Sequence, residues 1–319
     1  MEDKKTSDVL EGVVVQLDRG FPLVRSGELF MRCKHATHLV KHDDTRATIG
    51  DRVVFEPLEG AQEGLILKIL PRKNAFVRKD PAERSQKQIL AANFDIVLIV
   101  EPVLDYNERR VERACVLAFE SGASVAVVLT KTDLAEQSGE TANAYKENII
   151  RAFLDVDVFT TSIADNTGID AVRADIGNKR AVVLGKSGAG KSSLVNALAQ
   201  KAVQEVGEVR QRDNKGRHTT VARKIIDLPG GGSVVDIPGI RGLALWDNSR
   251  GIEAVFSDIE ELSQQCKFRD CSHTLEPGCA VLSAIGNGLL SNQRLEVYIR
   301  LKKEVQAVRA TNARQKWRS

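Results

Sequence analysis

No apolar run in these 319 residues approaches the roughly 20 consecutive residues that cross a bilayer as a helix, so helical membrane spans are excluded. The opening MEDKKTSDVLEG has no apolar stretch of the kind a signal peptide needs, and the expectation is a cytoplasmic protein without a membrane partner. A dominant charge sign is lacking too. The 46 Lys and Arg against 43 Asp and Glu leave a formal net charge of +3, too small to point to a nucleic-acid partner by itself. Internal repeats and low-complexity segments are missing, which removes the solenoid classes. Cysteine is scarce, with five residues, of which Cys33 and Cys115 stand alone and read as packing residues. Cys266, Cys271 and Cys279 crowd around His273, and in a reducing compartment such a cluster suggests metal rather than disulfides.

What is present suffices for one full α/β core with smaller flanking modules, since 42% of the chain is hydrophobic; two or three domains are expected. GVVVQLD, FPLV, ELFMRC, DRVVFEP and GLILKIL read as short strands separated by turns such as Gly50-Asp51 and Glu59-Gly60. Five such strands suggest an OB-type barrel, either an RNA-binding module or one that serves only in packing. From about residue 90, DIVLIV, SVAVVLT, VDVFT and RAVVLG are near-continuous apolar runs, the pattern of strands buried on both faces. Val111, Ala114, Cys115 and Ala118 recur between them at helical spacing, which predicts a doubly wound parallel sheet. RKIIDL and SVVDI flank Pro229-Gly230-Gly231-Gly232 as a hairpin. A final helix shows Leu295, Tyr298, Leu301, Val305 and Val308 on one face and ends in a basic tail with Trp317; residues 294 to 319 carry eight Lys or Arg against two Glu.

Gly185-Lys186-Ser187-Gly188-Ala189-Gly190-Lys191-Ser192 satisfies G-x-x-x-x-G-K-[ST] at every constrained position, after an apolar strand and before SLVNALAQ. Glycines let backbone N–H groups turn onto phosphates, and the helix N-terminus adds its positive end. Lys191 should reach the β and γ oxygens and Ser192 should ligate Mg²⁺. Thr130-Lys131-Thr132-Asp133 follows SVAVVL, where a GTPase places N-K-x-D. The Asp133 carboxylate can accept both N1–H and N2–H₂ of guanine, the Lys131 stem can cover the base, and Thr130 stands where Asn is commoner. Thr161-Ser162-Ile163-Ala164 resembles the small-residue loop that backs the guanine. An ATP-dependent enzyme conflicts with Asp133.

Asp236-Ile237-Pro238-Gly239 fits D-x-P-G, whose Asp holds Mg²⁺ through water and whose Gly amide meets the γ-phosphate. Gly216-Arg217-His218-Thr219-Thr220 has the placement of the first switch, with Thr220 favoured to complete the Mg²⁺ shell. Ile240 occupies the place of the Gln that orients the attacking water in Ras-like enzymes, so intrinsic hydrolysis should be slow. His218 is the nearest substitute in the switch, and equally a residue that contacts RNA or protein. The base-reading elements precede the phosphate loop, the order of a circularly permuted GTPase, and the segment after Gly239 runs into the cysteine-bearing module. There Cys266-x4-Cys271-x-His273-x5-Cys279 has the count and chemistry of a closed, structural Zn²⁺ site, against the alternative of free cysteines that happen to cluster.

Taken together, these residues resemble the ribosome small subunit-dependent GTPase A family over nearly the whole chain. Leu70-Pro71-Arg72-Lys73-Asn74, Thr130 to Asp133, Gly185 to Ser193, Arg217 to Thr220, Asp236 to Gly239 and CKFRDCSHTLEPGCAV carry the resemblance. Departures stand at Thr130 and at Val221, where the family more often continues the threonine run. The resemblance implies a multidomain α/β chain: an N-terminal OB-fold β-barrel that binds RNA (1–72), a central circularly permuted P-loop GTPase domain (73–243), and a C-terminal helical zinc-binding domain with a basic helix (244–319). It implies a nucleotide set of Thr130, Lys131, Thr132, Asp133, Ser162, Gly185, Lys186, Ser187, Gly188, Ala189, Gly190, Lys191, Ser192, Ser193, Asp236 and Gly239, with GTP or GDP, Mg²⁺ and one Zn²⁺ as cofactors. It further implies a GTP hydrolase stimulated by the small ribosomal subunit, whose rRNA the chain binds during late maturation. A monomer is expected, and contacts with other assembly factors are left open. The rival reading is an RNA-binding module in which GTP occupancy only reports nucleotide supply.

Overall fold

Short strands separated by turns build the N-terminal barrel of this computed structural model, which describes residues 9–18, 21–39, 46–58, 63–79, 87–134, 141–203, 223–236 and 249–316. Strands β1 (Leu10–Asp18), β2 (Phe21–Ser26), β3 (Leu29–His35), β4 (Arg52–Pro57) and β5 (Glu63–Ile69) follow the five expected runs. Antiparallel pairs β1–β2, β2–β3, β4–β5 and β1–β4 and the parallel pair β3–β5 close the ring, leaving no free edge. Val14, Val24, Cys33, Val53, Phe55 and Ile66 fill it. Burial pushes the Cys33 thiol up to about 11, so it stays neutral, as its packing role requires.

A hairpin of β6 (Ala75–Lys79) and β7 (Lys87–Ala92) follows, which the sequence reading did not foresee. Its support comes from residues far away in the chain: Ala92 N–H donates to Ile49 O at 2.9 Å and Thr48 Oγ1 to Ile89 O at 3.1 Å. The α/β portion then runs β8 (Ile96–Pro102), α1 (Glu108–Glu120), β9 (Ser124–Thr130), α2 (Ala142–Ala152), β10 (Val156–Thr161), α3 (Ile169–Ile176), β11 (Arg180–Leu184), α4 (Lys191–Ala199), β12 (Arg223–Asp227) and β13 (Ser233–Asp236). Helices α5 (Ser249–Val255), α6 (Ser257–Ser263), α7 (Ala280–Gly286) and α8 (Asn292–Lys316) complete the chain.

Two compact units form, each from two stretches of sequence: 1–97 with 169–240, and 98–168 with 241–319. In the first, β11 runs parallel to β13, β12 pairs antiparallel with β13 as the expected hairpin, and β12 pairs with β1 of the barrel. Gly232 turns that hairpin at φ 72°, and a Cβ there would lie 2.3 Å from Gly177 O, so no other residue fits. In the second, β9 and β10 are parallel, and α1 buries Val111, Ala114, Cys115 and Ala118 as their spacing predicts.

The second unit also changes the account of the basic C-terminal helix. Leu295, Tyr298, Leu301 and Val305 are buried as expected, while the Val308 side chain and Trp317 lie outside the described residues. Arg294, counted among the helix's cations, is only 2% exposed. Its guanidinium donates to Asp258 at 2.9 and 2.7 Å, to Ala152 O at 2.9 Å and to Val255 O at 2.6 Å, and it lies over the Phe256 ring. Arg300 pairs with Glu112, an acid of α1 that is 1% exposed. Arg294 is thus neutralised inside the fold, and the half-buried Arg300 is neutralised by a buried carboxylate, so neither adds a free charge to a positive stripe.

Candidate functional site

Within the first unit the phosphate-loop residues converge as their spacing predicts. β11 is buried from Ala181 to Leu184 and delivers the chain to Gly185, while α4 starts at Lys191. Gly188 and Gly190 take φ of 78° and 93°, the left-handed region that glycine enters without strain, and Gly190 is the N-cap of α4. Ala189 is fully buried, while Ser187 and Gly188 are exposed and Lys186, Ser192 and Ser193 are half-buried. Lys191 Nζ donates to Gly185 O at 2.8 Å and to Lys186 O at 2.7 Å, so its ammonium spans the loop from within. A cradle of N–H donors, a helix N-terminus and one central ammonium fits a polyphosphate.

Within the second unit a different set converges. β9 is buried up to Thr130, which is 3% exposed, and its register places Thr130 beside Thr161 of the parallel β10. Lys131 has φ 62°, an uncommon conformation for a side-chain-bearing residue, and the chain then enters a 3₁₀ turn over Thr132–Leu134. The Ser162 hydroxyl, 1% exposed, donates to Asp133 Oδ1 at 2.9 Å and accepts from Asp165 N–H at 3.2 Å. Ser162 and Thr167 exchange backbone hydrogen bonds at 3.1 and 2.9 Å, and Gly168 follows at φ 74°, where a Cβ would sit 2.0 Å from Thr160 O. The result is one carboxylate with a fixed orientation. Sequence reasoning expected Ser162 only as a backing residue; its hold on Asp133 joins positions 29 apart and has no local signature.

The cysteine cluster also assembles. The ligand atoms of Cys266, Cys271, His273 and Cys279 all lie within 4.8 Å of one another. Cys266 Sγ is 3.8 Å from Cys279 Sγ and 3.7 Å from His273 Nδ1, which is 3.4 Å from Cys279 Sγ. A tetrahedron with Zn–S bonds of about 2.3 Å has S···S edges of about 3.8 Å, so these spacings fit zinc. Desolvation first, then hydrogen bonds with Cys279 and Cys266, push the Cys271 thiol up to about 11, against the backbone hydrogen bond from His273, which lowers it. Burial and then the Lys302 charge lower the His273 pKa and keep its imidazole neutral, the ligating form. His273 packs against Tyr298, whose hydroxyl donates to Glu260 at 2.8 Å, tying the cluster to α6 and α8.

Of the remaining expected site residues, His218, Thr220 and Gly239 lie outside the described residues, as does the side chain of Asp236, whose backbone ends β13.

With this geometry in view, known proteins place the chain. A sequence model described as RsgA GTPase matches residues 69–246. A Streptomyces coelicolor protein named Small ribosomal subunit biogenesis GTPase RsgA is 42% identical over 309 residues, spanning 96% of this chain and 83% of that protein. A Methanosarcina acetivorans protein of the same name is 40% identical over 81% of this chain and 69% of its own length. Among solved structures, YjeQ from Thermotoga maritima is 26% identical with a TM-score of 0.69, covering 94% of this chain and 99% of that one. YloQ, described as a circularly permuted GTPase, shares the fold at a TM-score of 0.67 and 23% identity, covering 96% of this chain and 98% of its own.

Proposed function

This chain belongs to the RsgA GTPase family and is a GTP hydrolase, and from that premise we propose that it binds the small ribosomal subunit and assists its late maturation, hydrolysing GTP with stimulation by the subunit. The observation that carries this reading is the likeness over almost the entire chain to proteins named for small-subunit biogenesis. We assign the barrel (1–72) and the basic end of α8 to rRNA, residues 73–243 to GTP, and 244–319 to a structural zinc domain.

In this proposal the loop from Gly185 to Ser193 binds the phosphates, and its N–H groups and Lys191 hold charge that develops on the β and γ oxygens. Ser192 and Thr220 would hold Mg²⁺, with Asp236 acting through water and the Gly239 amide on the γ-phosphate; the ion supplies neutralisation of phosphate charge. Thr130, Lys131, Thr132, Asp133 and Ser162 read the base. Cys266, Cys271, His273 and Cys279 hold one Zn²⁺ with no position open to water.

Xanthine carries an oxygen acceptor where guanine carries N2–H₂. Asp133→Asn is therefore expected to lower GTP affinity by about a hundredfold and to favour XTP over GTP, since one charge-assisted pair is lost and one neutral pair gained. Competition binding with the two nucleotides reads the outcome, and an unchanged preference removes Asp133 from the site. Ser162→Ala frees the carboxylate to rotate and should weaken GTP about tenfold while leaving the melting temperature nearly unchanged. An equal loss of stability would make Ser162 a structural residue only. His218→Ala separates two uses: a lowered kcat at unchanged subunit affinity marks water positioning, and weakened subunit binding marks contact.

GTP turnover with and without purified small subunits, with ATP and large subunits as controls, tests the function. Strong stimulation confined to GTP and the small subunit is expected. Intact GTP binding without stimulation overturns the proposal in favour of an RNA-binding module that senses GTP occupancy.

A further inference from the structure

A buried carboxylate at the end of β8 belongs to none of the sites described above. Strand β8 is buried throughout, and Glu101 is its single charged residue, 1% exposed after the apolar run Ile96 to Val100. An apolar side chain of that volume would fill the place without the cost of burying a charge, so packing does not account for the acid.

Its partners show what it does. Glu101 Oε1 accepts from the Asn107 N–H at 3.0 Å, and the two carboxylate oxygens accept from Arg110 Nε at 3.1 and 2.8 Å and from Arg110 Nη2. Arg110 Nη2 also donates to Asp105 O at 2.5 Å. Asn107 in turn caps α1, its side chain accepting from the Arg110 N–H at 3.0 Å. The strand end, the 3₁₀ turn Val103–Asp105 and the first turn of α1 are therefore tied to one carboxylate. Just past that turn, Tyr106 stacks on Tyr145 of α2 with ring centroids 4.0 Å apart, which fixes the exit of the loop on a second element.

The turn Val103–Asp105 lies against the 3₁₀ turn Thr132–Leu134, which carries Asp133. Sheet order explains the meeting: β9 runs between β10 and β8, so the turn that follows it has a neighbour from each. From the β10 side, the Ser162 hydroxyl holds the Asp133 carboxylate at 2.9 Å. From the β8 side comes Val103–Asp105, anchored by Val103 at 2% exposure. Such support matters because Lys131 holds φ 62°, a conformation that persists only where the surroundings fix it.

We infer that Glu101 is a positioning residue for base recognition: through Arg110 and Asn107 it fixes the turn Val103–Asp105, and that turn fixes the orientation of Asp133. The inference rests on the reading of Thr130 to Asp133 as the guanine-binding turn and adds a residue that acts on it from behind. Bidentate acceptance of N1–H and N2–H₂ depends on the angle of the carboxylate, so a loosened support weakens base binding and leaves phosphate binding alone.

Glu101→Gln keeps the shape and one acceptor but removes the charge, and the Arg110 side chain it releases is 29% exposed, so water can solvate it. In the full chain, GDP affinity is expected to fall about tenfold, with binding of inorganic tripolyphosphate unchanged. Arg110→Gln should do the same, and the double variant should lose no more than either single one, because both act through one pair. The control is Glu112→Gln, which removes an equally buried carboxylate of α1 that is paired with Arg300 of α8 instead of with the turn. It should lower the melting temperature comparably and leave GDP affinity at the parent value. Parent-like GDP affinity in Glu101→Gln overturns the inference. So does an equal loss of GDP affinity in Glu112→Gln, or an equal loss of tripolyphosphate binding in Glu101→Gln, since either marks general destabilisation. If Glu101→Gln does not fold, Arg110→Gln is read by the same criteria. The base-reading assignment is judged separately by the nucleotide preference of Asp133→Asn: a switch to XTP together with parent-like GDP affinity in Glu101→Gln sinks only the inference, and an unchanged preference sinks the assignment and the inference with it.

Discussion

Lys191→Ala is expected to lower GTP turnover by roughly two to three orders of magnitude, the usual consequence of removing one preorganised charge from a developing oxyanion. Its ammonium already lies within the loop, bonded to Gly185 O at 2.8 Å and Lys186 O at 2.7 Å, so little reorganisation is needed to present positive charge to phosphate. Removing it also leaves those two carbonyls without that cross-link, and the curvature of the loop loosens. Nucleotide affinity should fall along with kcat, because the ground-state phosphates lose the same charge. Lys191→Arg is no rescue: a planar fork is longer and cannot enter a loop closed around a single ammonium. Single-turnover hydrolysis and binding of a fluorescent GTP analogue measure the two effects separately. Turnover within a few-fold of the parent would show that the N–H cradle and helix terminus suffice without the lysine.

The cluster of Cys266, Cys271, His273 and Cys279 carries the second large effect. Cys279→Ser, or exhaustive chelation, is expected to remove the metal and with it the cooperative unfolding of α6, α7 and the first half of α8. Structural zinc contributes on the order of 10 kcal/mol to small modules that depend on it. This module has little else to hold its ligand loop: the segment between Cys266 and Cys279 contains no helix or strand. Cys279 is also the N-cap of α7, where its Sγ accepts from Leu282 N–H at 3.4 Å, so its loss also uncaps that helix. His273 would leave its place against Tyr298, which anchors Glu260. Metal content by atomic absorption and the thermal transition followed by circular dichroism should change together. Cys115→Ala, at a buried cysteine outside the cluster, should retain one metal per chain. A fully stable Cys279→Ser chain without metal would show that helix packing alone maintains the module.

Features whose atoms come from one short stretch were legible before any coordinates. The phosphate loop needs only a buried strand, glycines at set intervals and a following helix, all within residues 180 to 199. The three cysteines and the histidine of the cluster lie within fourteen residues, so their spacing alone constrains them to one site. The five barrel strands were legible because short runs rich in apolar and β-branched residues are bounded by turn residues such as Gly50-Asp51. By contrast, the β6–β7 hairpin escaped notice, since its backbone bonds to Ile49 and Thr48 depend on a barrel that must already exist. Arg294 read as part of a basic tail, and nothing around it in the chain indicates that Asp258, Val255 O and Ala152 O would enclose it.

By itself, then, the sequence determined which groups this protein brings together: a glycine-rich loop between a buried strand and a helix, a carboxylate after an apolar strand, a set of three cysteines and one histidine, and a barrel. Local spacing suffices for each of these, because neighbouring residues cannot be far apart in space. Tertiary structure alone decided how the groups are held. It placed Ser162 against Asp133, Glu112 beneath Arg300, and the stretches 98–168 and 241–319 in one compact unit. Such partners are chosen by which surfaces pack once the apolar strands are buried, and burial of a charge forces it to find an opposite charge wherever the fold presents one.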